Sequence, residues 1–238
     1  MELTSFILGI VGLVLTIIFA EPVWRFLKST MDNARRKTWS ANLYKQGAIY
    51  NLRHFAFEKW SVHMQVDDEG GTTLSYEATI INLSDKLLTT FYLPFYSDTG
   101  GLSLKTLKVS ARTANRPLPI VMDTLDANKK QGRLAISHVP PLFPGEHLIF
   151  SWKIVLPKLF QAGDEYFTWD VEVPYYEMRG TLEFTRGWRV LYAKWKKDFT
   201  DHRPPLKIRN RSIQWGITLP PTGTRLHLLF GLEKVQQE

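Results

Sequence analysis

From about residue 54 onward, apolar and polar side chains alternate, and this pattern limits what the chain can build more than any other. Successive side chains of a strand point to opposite faces, so alternation marks a strand with one face in a core and one in water. Trp60-Ser-Val-His-Met-Gln-Val66 is such a run, Asp67-Asp-Glu-Gly-Gly71 turns the chain, and the β-rich Thr72–Leu83 follows, so a hairpin is expected. Further strands are expected over Leu88–Phe95, Leu104–Ala111, Pro119–Asp123, Arg133–Ser137, His147–Leu156, Tyr166–Pro174, Gly180–Phe184, Arg189–Lys194, Ser212–Leu219 and Thr224–Phe230. Pro144-Gly145, Gly163-Asp164 and Pro220-Pro221 punctuate them. No helical pattern intervenes. The expected fold is all-β, an antiparallel β-sandwich (immunoglobulin-like) or a barrel, occupying residues 54–238.

The phase of the alternation names the core. Phe150, Trp152, Ile154 and Leu156 share one face of their strand, and Phe167, Trp169, Val171 and Val173 share another. Ile213, Trp215 and Ile217, then Leu226, Leu228 and Phe230, complete the inward set. With 238 residues, 44% hydrophobic and 22% charged, the chain holds one ordinary domain plus an appendage and is not disordered throughout. It has no cysteine, which removes disulfides, thiolate nucleophiles and cysteine-ligated metals together.

The appendage is the amino terminus. Leu3–Ala20 is an eighteen-residue run without a charge; as a helix it is roughly 27 Å long, close to the thickness of a bilayer core. Only Glu2 precedes it, so it lacks the basic start of a signal peptide and reads as a retained transmembrane helix over 1–24, with Trp24 as interfacial anchor. Eight Lys/Arg against three acidic residues over 21–60 place the following domain on the cytoplasmic side of the inner membrane and the N-terminus outside. Gly9 and Gly12 form a small-residue stripe of the kind that lets membrane helices pack and self-associate. Residues 25–53 read as a basic juxtamembrane helix or linker, with Phe26, Leu27, Met31, Ala34, Trp39 and Leu43 at helical spacing. Trp24, Arg25, Lys28, Arg35, Arg36 and Lys37 are its expected contacts with the lipid bilayer.

A second basic zone lies within the β domain. Residues 186–211 carry nine Lys/Arg against Asp198 and Asp201, and aromatic side chains are interleaved with the cations. That mixture stacks bases and holds phosphates, so Arg186, Trp188, Arg189, Lys194, Trp195, Lys196, Lys197 and Arg203 are the candidate ligand-binding residues. The competing reading is a solvated loop whose charges offset an otherwise acidic domain. The partners expected are a nucleotide or nucleic-acid-derived signal, or a protein. No phosphate-binding glycine loop, Gly-x-Ser-x-Gly elbow or His-x-x-x-His spacing occurs, so no enzymatic activity, metal or cofactor is expected.

Leu3–Ala20, Arg25–Lys37 and the β-rich 60–230 together make a layout that resembles the small membrane-anchored effectors of bacterial anti-phage defence, of CBASS, type III CRISPR or retron type. The resemblance implies a β domain that senses a ligand or partner and an anchor that oligomerises and disrupts the inner membrane. Two other expectations stand beside it: a membrane scaffold that holds a protein partner, and an envelope assembly factor.

Overall fold

The computed structural model describes residues 23–24, 26–46, 54–96, 103–126, 131–156, 159–196 and 204–235. The chain divides after Asn42 into two compact units. A helix, α1, runs over residues 26–46, mostly within the first unit, with Val23 and Trp24 also helical. The hydroxyls of Thr30 and Thr38 donate to the carbonyls of Phe26 and Ala34 one turn back, each at 3.0 Å, as polar β-branched residues do inside helices. Trp24, Phe26, Leu27 and Met31 are exposed, as are Lys28, Arg35 and Lys37; Arg36 is half-buried.

Among the described residues no helix is long and apolar enough to cross a membrane. In α1 the charged Lys28, Asp32, Arg35, Arg36, Lys37 and Lys45 keep any long window from being apolar. The expected span 1–24, apart from Val23 and Trp24, lies outside the described residues, together with Gly9, Gly12 and Arg25.

The second unit is mostly strand. In order come β1 (Phe55–Val66), β2 (Thr72–Asn82), β3 (Leu88–Tyr96), the short α2 (Leu104–Leu107), β4 (Ser110–Arg112), β5 (Pro117–Leu118), β6 (Ile120–Leu125) and β7 (Gln131–Leu142). They are followed by β8 (His147–Leu156), β9 (Gly163–Asp170), β10 (Glu177–Phe184), β11 (Trp188–Trp195), β12 (Leu206–Arg209), β13 (Ser212–Thr218) and β14 (Arg225–Lys234). Three sheets result: an eight-stranded one ordered β12-β13-β10-β1-β2-β8-β4-β5, and two of three strands, β11-β14-β9 and β3-β7-β6.

The β-rich class is as the alternation requires, but three particulars differ. The large sheet ends in β12 and β5, so it does not close into a barrel, and three sheets replace the two of the expected immunoglobulin-like sandwich. β1 runs parallel to β10, with Trp60 opposite Met178 and Val66 opposite Phe184, so the sheet is not purely antiparallel. Alternation has the same period in both pairings, which leaves this choice to contacts distant in sequence. Finally, the strand expected over Leu104–Ala111 begins as α2. Ser103 caps it, accepting from the Thr106 amide at 3.1 Å while the Thr106 hydroxyl takes the Ser103 amide at 2.8 Å, and Lys108 ends it in the left-handed region at φ 43°.

The core forms where the phase places it. Phe150, Trp152, Ile154 and Leu156 are buried, as are Trp169, Val171, Ile213, Trp215, Leu226, Leu228 and Phe230, and they pack in one cluster drawn from all three sheets. Phe167, Val173 and Ile217 pack partly buried against it.

Candidate functional site

β11 carries the basic-aromatic sequence at the edge of its sheet. Its pairing with β14 shifts between Val190 and Tyr192, a bulge that moves the inward phase by one residue. Trp188 and Val190 therefore face the core before the bulge and Trp195 faces it after, whereas Arg189 and Lys194 face solvent. Both tryptophans are structural: Trp188 is 1% exposed and donates Nε1–H to the Asp67 carbonyl at 2.7 Å, and Trp195, 7% exposed, donates to the Pro204 carbonyl at 2.7 Å. Both rings are largely buried, so neither is an exposed platform for stacking a base. Arg189 is engaged by Glu233 (Nε to carboxylate 2.9 Å), and Arg186 lies exposed in the turn between β10 and β11. Lys197 and Arg203 lie outside the described residues.

Of the expected binding set, the structure brings Lys194, Trp195 and Lys196 together. They line an open hollow of about 590 Å³ with Ala193, Pro204, Leu206 and Leu229. The hollow lies along the seam where the end strands of two sheets, β11 and β12, run side by side. Two contacts close that seam: the Val190 amide on the Asn210 carbonyl at 2.8 Å, and the Trp195 indole on the Pro204 carbonyl. Most of the lining is apolar, and its charged members are the two lysines. Leu206 and Leu229 escape the sequence reading because they come from β12 and β14, joined to β11 only by folding.

The outer face of β11-β14-β9 continues from this hollow. In register across the sheet lie Lys194, Leu229 and Tyr166; one row on, the Lys196 amide donates to the His227 carbonyl at 2.9 Å, and His227 stands opposite Thr168. His227 Nδ1 is 3.0 Å from the Thr168 hydroxyl, and its ring stacks on Tyr166 with centroids 5.1 Å apart. Partial burial, then the charges of Lys196 and Arg225, lower the His227 pKa below its usual value, which favours the neutral imidazole. On the other side of the Lys194 row, Tyr192 donates to Asp164 at 2.7 Å; that bond to a carboxylate raises the tyrosine pKa. The alternation marks His227 only as a polar-phase residue; its neighbours are set by register. Among the described residues no group of three or more His, Asp or Glu is arranged to hold a metal ion.

No protein-family model matches the chain, and no curated protein matches it. Similar folds occur among solved structures. The M1 zinc metallopeptidase from Deinococcus radiodurans is 14% identical with a TM-score of 0.45, over 75% of this chain and 42% of that one. Yeast LTA4 hydrolase, solved with bestatin, is 9% identical with a TM-score of 0.44, over 78% of this chain and 30% of that one. The chain thus spans less than half the length of either. A likeness at this level concerns the course of the β-rich chain and carries no assignment of an activity.

These findings correct the functional expectation. A non-enzymatic, single-pass effector or scaffold at the inner membrane needs a spanning helix, and among the described residues none is long and apolar enough. The exclusion of enzymatic activity falls with it. It rested on missing short motifs, whereas catalytic groups also converge from strands far apart in sequence.

Proposed function

We propose that the β domain is a recognition domain for an anionic ligand with an apolar portion, seated in the seam between β11 and β12. One observation carries this reading: Lys194 and Lys196 border a hollow otherwise lined by Ala193, Trp195, Pro204, Leu206 and Leu229. Ligand sites are mainly apolar concavities of roughly 300–1,000 Å³ with a few placed polar groups, and the seam has that make-up. The apolar lining gains by shedding water onto a hydrocarbon or ring. The ammonium groups select a carboxylate, sulfonate or phosphate at its end.

Calorimetric titration of the full chain with decanoate tests it, with butanoate as the tail-free arm and octyl glucoside as the uncharged arm. Saturable binding is expected for decanoate alone, and Lys194→Gln with Lys196→Gln should weaken it about tenfold or more, the worth of a charge-assisted bond. Equal response to all three probes, or an unchanged double variant, removes the reading.

A further inference from the structure

The opposite end of β12 holds a second hollow, of about 720 Å³, lined by Glu183, Phe184, Arg209, Asn210, Arg211 and Ser212. Its frame is fixed by backbone. Arg209 pairs with Ser212 to close the β12–β13 hairpin. The Phe184 amide donates to the Arg211 carbonyl at 2.9 Å and the Val190 amide to the Asn210 carbonyl at 2.8 Å, tying the hairpin tip to β10 and β11.

Four arginines elsewhere on the domain are paired with carboxylates. Arg133, Arg189 and Arg225 pair across their sheets with Asp123, Glu233 and Asp170, and Arg179 pairs with Glu177 two residues away. Among the described residues no carboxylate pairs with Arg209 or Arg211, nor with Arg186 in the adjoining turn. Glu183, the acidic member of the lining, already accepts His63 Nε2 at 2.9 Å. Two exposed arginines thus lie at one turn, with a third in the adjoining loop, a placing of like charges that a multivalent anion would offset at low ionic strength. Asn210 and Ser212 add an amide and a hydroxyl to the same lining, which makes a donor-rich cradle for phosphoryl oxygens.

We infer that this hollow binds a pyrophosphate group, free or as part of a nucleoside di- or triphosphate, through Arg209 and Arg211 with support from Arg186. The site is separate from the β11–β12 seam and does not depend on what that seam holds. A single carboxylate offsets only one of the guanidiniums, whereas a pyrophosphate supplies several charges on oxygens spaced for bidentate contact.

Titration calorimetry of the full chain with inorganic pyrophosphate, ATP and polyglutamate, each at matched low ionic strength, tests the inference. Pyrophosphate and ATP should saturate one site, and Arg209→Gln with Arg211→Gln should weaken both at least about tenfold. The Lys194→Gln, Lys196→Gln variant should bind both as the parent does, which separates this site from the seam. Tighter ATP than pyrophosphate assigns a nucleotide, and equal affinity assigns the pyrophosphate group alone. Thermal melts of the exposed-arginine variant, expected to match the parent, show that a loss is not unfolding. Absence of saturation, an unaltered arginine variant, or polyglutamate binding more tightly than pyrophosphate overturns the inference.

Discussion

Asp68 shows how an acidic residue in a turn serves the fold. The acidic triplet 67–69 sits at the tip of the β1–β2 hairpin, as its turn composition requires. There Asp67 Oδ1 takes the amides of Glu69 and Gly71 at 2.9 and 2.7 Å, and Asp68 reaches across the molecule. Its carboxylate accepts the Thr185 hydroxyl and the Gly187 amide, and its carbonyl accepts Lys234 Nζ at 2.7 Å. The Thr185 bond, followed by that from Gly187, holds the Asp68 carboxyl below its ordinary value of 3.8. A carboxylate depressed in the folded state stabilises above the unfolded pKa and loses that effect as pH falls through the folded one. Asp68→Asn should therefore lower the melting temperature at pH 7, and the gap from the parent should narrow below about pH 3.8, read by circular dichroism melts at stepped pH. An equal gap at pH 7 and pH 2 would show that the carboxylate charge is not what Thr185 and Gly187 hold.

At the scale of elements, β10 sits between β1 and β13 and requires a glycine. A Cβ added at Gly180 would lie 2.3 Å from Trp215 ring atoms, because the indole lies over the β10 backbone. Trp215 is buried against Trp169, at 4.7 Å between centroids, and Trp195, at 5.8 Å, so it has no room to move aside. Gly180→Ala should destabilise by about 1–3 kcal/mol, the usual cost of overpacking, in urea unfolding. Gly216→Ala is the control from the neighbouring strand, since an added Cβ meets Arg179 and Met178 no closer than 3.6 Å; an equal loss in both would trace the effect to the strand backbone. The same scale explains α2 and the β11 bulge. A capping box and a one-residue shift each override alternation over a few residues, and the second sends Trp188 and Trp195 inward.

Across the whole molecule, the three sheets share one apolar cluster, and β14 joins much of it. Leu226, Leu228 and Phe230 are fully buried, and Phe230 meets Phe160 at 5.5 Å and Phe184 at 6.1 Å. Phe184 belongs to the eight-stranded sheet and Phe230 to a three-stranded one, so the contact spans the layers. Phe230→Ala should cost about 3–5 kcal/mol through the cavity it leaves, measured as a shift of the whole urea transition by fluorescence and circular dichroism together. Two separated transitions would mean that the sheets unfold independently.

The amino-acid order by itself settled the local matters. Period-two alternation set where most strands run, the inward phase set which aromatic rings are buried, and Asp-Asp-Glu-Gly-Gly set the first hairpin, because each depends on side-chain direction within a few residues. Tertiary structure alone decided the rest: the parallel β1–β10 pair, the meeting of β11 with β12, the placing of Leu206 and Leu229 beside Lys194, and the grouping of Arg209 and Arg211 with β10. All of these join strands far apart along the chain or set beside each other only by packing. Alternation carries a strand's facing but not the identity of its neighbour, so both hollows came into view only once the sheets were assembled.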